Sequence, residues 1–158
     1  DSGRNTLNKV KMDLNQMVSE VWEESQMIDE KHHYLFRGTD PAYMTGDIAM
    51  IKQSIRIFVQ NAAKYSSDGA DITLGVMLES GYVSYMIQDE GIGMESSDVV
   101  HIFERFYRSD EARNGETGGS GLGLSIAKWI VDAHSGTIQV VSRPEIGTRF
   151  IVRFPMCE

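Results

Sequence analysis

Apolar residues along this chain switch between two spacings, and the switches outline helices alternating with paired strands. Val10 and Met12 alternate with polar neighbours. A stripe of Leu14, Met17, Val18, Val21, Trp22 and Ile28 at three- and four-residue steps follows, which predicts an amphipathic helix packed on a core. Asp13, with Gln16 three residues later, reads as an N-cap and its reciprocal partner and starts that helix near Leu14. His33–Phe36 is a short strand candidate closed by the turn Gly38-Thr39-Asp40-Pro41. A second helix is predicted after Gly46-Asp47, where Ile48, Ile51, Ile55, Phe58 and Ala62 keep helical spacing up to Tyr65. Ile57, Asn61, Lys64 and Tyr65 fall on an adjoining face, so Asn61 and Lys64 can look into a cavity beside the core.

Beyond that helix the period changes to two. Ile72, Leu74, Val76 and Leu78 alternate, the turn Glu79-Ser80-Gly81 intervenes, and Val83, Tyr85 and Ile87 alternate again, which predicts a hairpin. The core-facing row of its second strand runs on to Asp89, and a carboxylate at the end of a buried row is costly unless something pairs with it. Gly91 and Gly93 follow, then a helical segment through Val99, Ile102 and Phe103, then a polar stretch from Arg108 to Ser120 that reads as mobile. Gly121-Leu122-Gly123 opens a helix with Ile126, Ala127, Ile130 and Val131 on one side, stopped by Ser135-Gly136 in a capping position. A second hairpin closes the chain, with strands at 138–142 and 148–154 around Pro144-Glu145-Ile146-Gly147.

Composition narrows the classes. The 158 residues are enough for one core; 41% are hydrophobic and 24% charged, which disfavours disorder. A net charge of −8 makes the chain a poor ligand for nucleic acid or anionic membrane, although a small phosphate ligand needs only a local positive site. Cys157 stands alone, which excludes an intrachain disulfide and a cysteine metal cluster and suits a reducing, cytoplasmic setting. No apolar run approaches the roughly 20 residues of a membrane span. Asp1 in place of an initiator Met reads as the start of a fragment, so the parent protein can still be membrane-anchored.

Two glycine clusters mark places where backbone approaches something closely: Gly91-Ile92-Gly93, and Gly118-Gly119-Ser120-Gly121-Leu122-Gly123 ahead of a helix. The second has the layout of an anion site, with free N–H groups and the positive end of a helix dipole; a plain hinge has the same composition. It is not a Walker loop, since no Gly-Lys-Ser or Gly-Lys-Thr follows. It is not a Rossmann loop either, because no parallel strand-helix-strand unit surrounds it.

Taken in order, four stations carry a resemblance. Gln53 to Tyr65 (QSIRIFVQNAAKY) is similar to the N box, Asp89 to Met94 (DEGIGM) to the G1 box, Ile102 to Arg108 (IFERFYR) to the F box, and Gly118 to Leu124 (GGSGLGL) to the G2 box. These belong to the catalytic and ATP-binding domain of bacterial sensor histidine kinases, within the superfamily of DNA gyrase, heat-shock chaperone and mismatch-repair ATPases. The resemblance covers roughly residue 10 to the end and implies an α/β fold of the Bergerat type. That fold is a two-layer sandwich of a mixed, largely antiparallel sheet and about three helices, with ATP between the helices and a lid at about 107–120. Residues 1–9 then read as the tail of an upstream dimerisation helix or a linker, and 10–158 as the ATP-binding domain.

The resemblance also implies roles. Asp89 accepts a hydrogen bond from the adenine amino group, which GTP cannot offer. Gly91 and Gly93 bring backbone close to the purine, and Ile92 and Met94 pack on its face. Asn61 holds Mg²⁺ through its side-chain oxygen. Lys64 pairs with phosphate, and Tyr65 flanks the nucleotide. Arg105 or Arg108 meets the terminal phosphate as the lid closes, a charge suited to phosphoryl transfer; pairing with Glu104 or Asp110 is the plain alternative. Gly119, Ser120, Gly121, Leu122, Gly123 and Leu124 belong to the phosphate cradle.

One position departs from the pattern. Four residues before Asn61, the superfamily's hydrolases carry a water-activating Glu and histidine kinases commonly an Asn; this chain has Ile57. Isoleucine is neither base nor metal ligand, so hydrolysis of the gyrase type is disfavoured and metal affinity should weaken. None of His32, His33, His101 and His134 sits in a phospho-acceptor setting, so the resemblance implies an acceptor histidine on a separate upstream dimerisation domain of the same kinase, with a response regulator downstream. The rivals are a non-catalytic nucleotide-sensing or docking module, an ATP hydrolase, and a relative that phosphorylates serine.

Overall fold

The computed structural model describes residues 7–104 and 123–157. Strand β1 (Val10–Asp13) leads into helix α1 (Leu14–Ile28), then β2 (His33–Arg37), β3 (Tyr43–Gly46) and helix α2 (Ile48–Lys64). The hairpin β4 (Asp71–Glu79) and β5 (Tyr82–Asp89) follows, then the one-turn helix α3 (Ser96–Val99), helix α4 (Gly123–Ala133) and the hairpin β6 (Thr137–Arg143) and β7 (Gly147–Pro155). A five-stranded sheet in the order β2-β4-β5-β7-β6 forms one layer. Its β2–β4 pair is parallel and the others are antiparallel, because hairpins join β4 to β5 and β6 to β7 while α2 carries the crossover. Helices α1, α2 and α4 cover one face of it.

Local chemistry sets the helix ends. Asp13 caps α1 by accepting the Asn15 N–H at 3.0 Å, and the same oxygen accepts the Ala42 N–H at 2.9 Å. The reciprocal partner expected of Gln16 does not form, because its amide donates to Glu20 at 2.9 Å. Asp47 caps α2 through the Met50 N–H at 3.2 Å. Its own N–H donates to His134 Nε2 at 3.0 Å, while His134 Nδ1 donates to the Ile130 carbonyl at 2.8 Å. His134 is therefore a neutral imidazole tying the end of α4 to the start of α2, a structural role.

Two expectations, at Ile28 and at Phe103, need correction. Ile28 is exposed, because α1 ends there and leaves the sheet. Residues 43–46 are a strand and pair antiparallel with 10–13 as a separate ribbon, a long-range pairing with no local signal. The helical segment expected through Phe103 stops at Val99. The Ser135-Gly136 stop of α4 forms as expected, with Ser135 left-handed (φ 58°) and the Gly136 N–H closing on the Val131 carbonyl at 2.9 Å.

Alternation on β5 holds to its end: Val83, Tyr85, Ile87 and Asp89 are all buried under the helices. Phe58 of α2 sits at the centre, with its ring 4.7 Å from that of Phe150 and 6.3 Å from that of Tyr85. The Tyr85 hydroxyl meets Ser54 Oγ at 2.7 Å, so these two buried hydroxyls satisfy each other. No described helix is long and apolar enough to cross a membrane. Truncating the fully buried Phe58 should therefore be severe: Phe58→Ala is expected to cost about 3–5 kcal/mol in urea unfolding, and a loss below ~1 kcal/mol would show that the two layers do not meet there.

Candidate functional site

The site starts from a carboxylate that the sheet places inside the protein. Asp89 ends β5 opposite Ile72 and Thr148 and is only 6% exposed. Its Oδ1 accepts the Gly91 N–H at 2.8 Å and the Thr148 N–H at 3.3 Å. Oδ2 receives no hydrogen bond among the described residues. Burial pushes this carboxyl up from its ordinary range, against the pull of the two N–H donors.

Loop 90–95 is stitched on both sides. The Ile92 N–H donates to the Tyr65 carbonyl at 3.1 Å, and the Ile92 carbonyl accepts the Glu145 N–H at 2.6 Å. The Met94 N–H donates to Ser142 Oγ at 2.9 Å. Glycine is required here by the protein's own backbone: a methyl on Gly91 would fall 2.3 Å from the Tyr65 carbonyl oxygen, and one on Gly93 (φ +67°) 1.8 Å from that of Arg143. Ile92 is exposed and Met94 half-buried against the core, so an apolar edge is left beside Asp89.

Helix α2 joins this loop to the start of α4. Tyr65 is its C-cap. Asn61 lies one turn earlier, half-buried, with its side-chain amide unbonded among the described residues. One turn earlier again is Ile57, whose Cγ2 would lie 3.6 Å from a methyl on Gly123, the first residue of α4. Asn61 thus lies between two contacts, one with the helix start and one with the glycine loop. Lys64 is exposed with Nζ 6.0 Å from the Tyr65 ring, in the last turn where a cation suits the helix dipole. Leu124 is half-buried in the first turn of α4. Ile102 is buried, and Phe103 packs edge-on to Phe150 at 6.4 Å.

Of the residues singled out from sequence, Asn61, Lys64, Tyr65, Asp89, Gly91, Ile92, Gly93, Met94, Gly123 and Leu124 are placed, and α2 links the two glycine segments. Arg105, Arg108, Gly119, Ser120, Gly121 and Leu122, with the rest of the expected lid, lie outside the described residues. A hollow of about 470 Å³ is lined in part by Gln88, Val141, Arg143 and Arg149. Asp89, Ser142 and Thr148 also line it, so this hollow lies at the end of the sheet that carries the site. Sequence reading missed Ser142 and Thr148, whose hydroxyls meet at 2.8 Å behind the loop. Nothing local marks them, since their role follows from strand pairing.

Residues 46–158 match the family described as histidine kinase-, DNA gyrase B-, and HSP90-like ATPase. Over 143 residues the chain is 38% identical to the sensor histidine kinase YkoH of Bacillus subtilis, covering 90% of this chain and 31% of that protein. It is 32% identical over 146 residues to the sensor-like histidine kinase SenX3 of Mycolicibacterium smegmatis, covering 91% and 38%. The catalytic domain of histidine kinase ThkA superposes with a TM-score of 0.81 at 24% identity, covering 94% of this chain and 98% of that one, a likeness of fold. The chain therefore belongs to this ATPase family, and over most of its length it is similar to part of sensor histidine kinases. It spans about a third of the length of the curated relatives it matches.

The two kinds of left-handed glycine separate in a simple experiment. A methyl added at Gly69 (φ +89°) would have no atom within 4 Å, so Gly69→Ala should cost about 1 kcal/mol of backbone strain. Gly93→Ala, with strain plus a backbone clash, should cost more than ~3 kcal/mol in chemical denaturation. Equal costs would mean that loop 90–95 is not held as described.

Proposed function

We propose that this domain binds ATP with Mg²⁺ and presents the γ-phosphate to a histidine on a separate dimerisation domain of the same kinase, from which a response-regulator aspartate receives it. The observation that carries the reading is the unbonded Oδ2 of buried Asp89. This oxygen has no protein partner among the described residues, in a residue that is otherwise buried, and the adenine amino group is a donor that can pair with it. Guanine offers a carbonyl at that position and leaves both acceptors unpaired, so ATP is preferred. Ile92 and Met94 supply apolar cover for the ring. The free N–H groups expected at the start of α4 suit phosphate oxygens, with Lys64 and the lid arginines Arg105 and Arg108 adding positive charge.

The residues present fit a magnesium ion of the kind that keeps most of its own water. Asn61 offers one hard, uncommitted oxygen, Ile57 offers none, and the described residues contain no cluster of three His, Cys, Asp or Glu side chains. When bound, the ion neutralises charge on the phosphates; this chain's part is to hold it with Asn61 and to orient the nucleotide. Ile57 beside Asn61 also leaves no side chain there to take a proton from water, which favours transfer to a protein histidine over hydrolysis. Such a domain works in the cytoplasm, where ATP is available.

Asp89→Asn replaces the free acceptor with a donor or disturbs the two N–H bonds. ATP affinity in calorimetry is expected to fall about a hundredfold while the circular dichroism spectrum is unchanged; wild-type affinity in this variant would place the base elsewhere. The folded carboxyl lies above its ordinary value, so the native state holds that proton more tightly and stability falls as pH rises through the interval between the two. Asp89→Asn should abolish that fall. For the transfer step, labelled ATP mixed with this domain and a cognate dimerisation fragment should label the fragment's histidine; steady phosphate release without such label would favour the hydrolase.

A further inference from the structure

His32 is buried between the end of α1 and the start of β2, and both of its ring nitrogens face acceptors. Nδ1 lies 2.7 Å from Asp29 Oδ2, and Nε2 lies 3.2 Å from the Ser66 carbonyl oxygen. A carbonyl cannot donate. Asp29 already accepts the Tyr34 hydroxyl at 2.5 Å on the same oxygen and the Lys31 N–H at 2.8 Å on the other, the behaviour of a carboxylate. Both contacts are therefore hydrogen bonds only when the ring carries two protons; a neutral ring turns a lone pair toward one acceptor.

The carbonyl held by Nε2 belongs to the residue after Tyr65, and the neighbouring Tyr65 carbonyl receives the Ile92 N–H and touches Gly91. Among the described residues the other hydrogen bonds from the 66–70 segment to this side are backbone ones, from the Gly69 N–H to the Lys31 carbonyl at 2.6 Å and from the His33 N–H to the Ala70 carbonyl at 3.0 Å. Ser66 Oγ is buried and unbonded, so the Ser66 side chain does not anchor it. We propose that His32, as an imidazolium, is a positioning residue for the nucleotide pocket: by holding the Ser66 carbonyl it fixes the Tyr65 carbonyl, and with it the Gly91-Ile92 edge. Nucleotide affinity is then lost as the ring gives up its proton, a consequence that rests on the ATP reading above.

The surroundings favour the charged ring. Burial alone pushes His32 down, but the bonds to Asp29 and Ser66 and the charges of Asp29 and Asp68 bring it above the ordinary histidine value. From α1 it faces Asp29, from β2 the Tyr34 hydroxyl, whose own proton burial and Asp29 hold in place, and from the segment after α2 Asp68. Glu30 and His33 line the adjoining hollow. A raised folded value means that the stabilisation is complete below the ordinary histidine range and disappears as pH rises through the raised one.

The test is an NMR titration of the nucleotide-free protein from about pH 5.5 to 9, combined with MgATP calorimetry at about pH 6 and 8.5. The His32 ring should titrate above the ordinary histidine value, and the Ile92 amide should move with the same midpoint. MgATP should bind about fivefold more weakly at the higher pH, beyond any change seen in His32→Gln, whose amide does not titrate. A flat Ile92 amide, or a ring already neutral at pH 6, overturns the proposal, and if His32→Gln fails to fold the wild-type titration decides alone. Ile92 following His32 in a protein that binds no MgATP at either pH would support the clamp and remove the ATP reading. MgATP binding with no pH dependence beyond that of His32→Gln would remove the clamp and leave the ATP reading standing.

Discussion

The site depends on one constraint: a carboxylate ends a buried row of the central sheet, and only one of its oxygens is paired within the described protein. Leaving a charge-bearing group half-satisfied under three helices works against folding. What the arrangement secures is a fixed acceptor whose direction is set by β5 and by N–H groups from two different segments. Because Gly91 and Thr148 both bind Oδ1, the other oxygen is oriented without being consumed. A pocket built this way recognises a donor on a flat ring without relying on a mobile side chain.

Loop 90–95 turns that acceptor into a pocket edge. Hydrogen bonds to Tyr65, Glu145 and Ser142 pull it from opposite sides, and the glycines are there because neighbouring backbone leaves no room for a side chain. Glycine-rich sequence is often read as freedom. Here it permits tight packing, so the pocket edge moves only if the end of α2 or the β6–β7 turn moves. This is why a histidine outside the pocket, bonded to the residue after Tyr65, is coupled to it.

Helix α2 performs two tasks with adjoining faces. Phe58, Ile55, Ala62 and Ile51 build the core, while Ile57 meets the start of α4, Tyr65 meets the glycine loop and Asn61 lies between them in sequence. Ile57 spends its position on packing against α4.

Much of this was legible in the residues themselves. Period-two and period-three-to-four spacing identified both hairpins, α1, α2 and α4, and the run Val83, Tyr85, Ile87, Asp89 marked the buried carboxylate, because side-chain direction follows from position along a strand or helix. The ordered boxes identified the family. Other features had no local signature. The Val10–Asp13 ribbon with Tyr43–Gly46, the Ser142–Met94 bond, the Thr148 donor to Asp89 and the double acceptor environment of His32 each join segments far apart in the chain. Sequence determined which residues are amphipathic, capped or turn-forming, since those properties are local; only tertiary structure decided which acceptor is left free and which histidine must be charged, since both depend on what distant segments bring within hydrogen-bond reach.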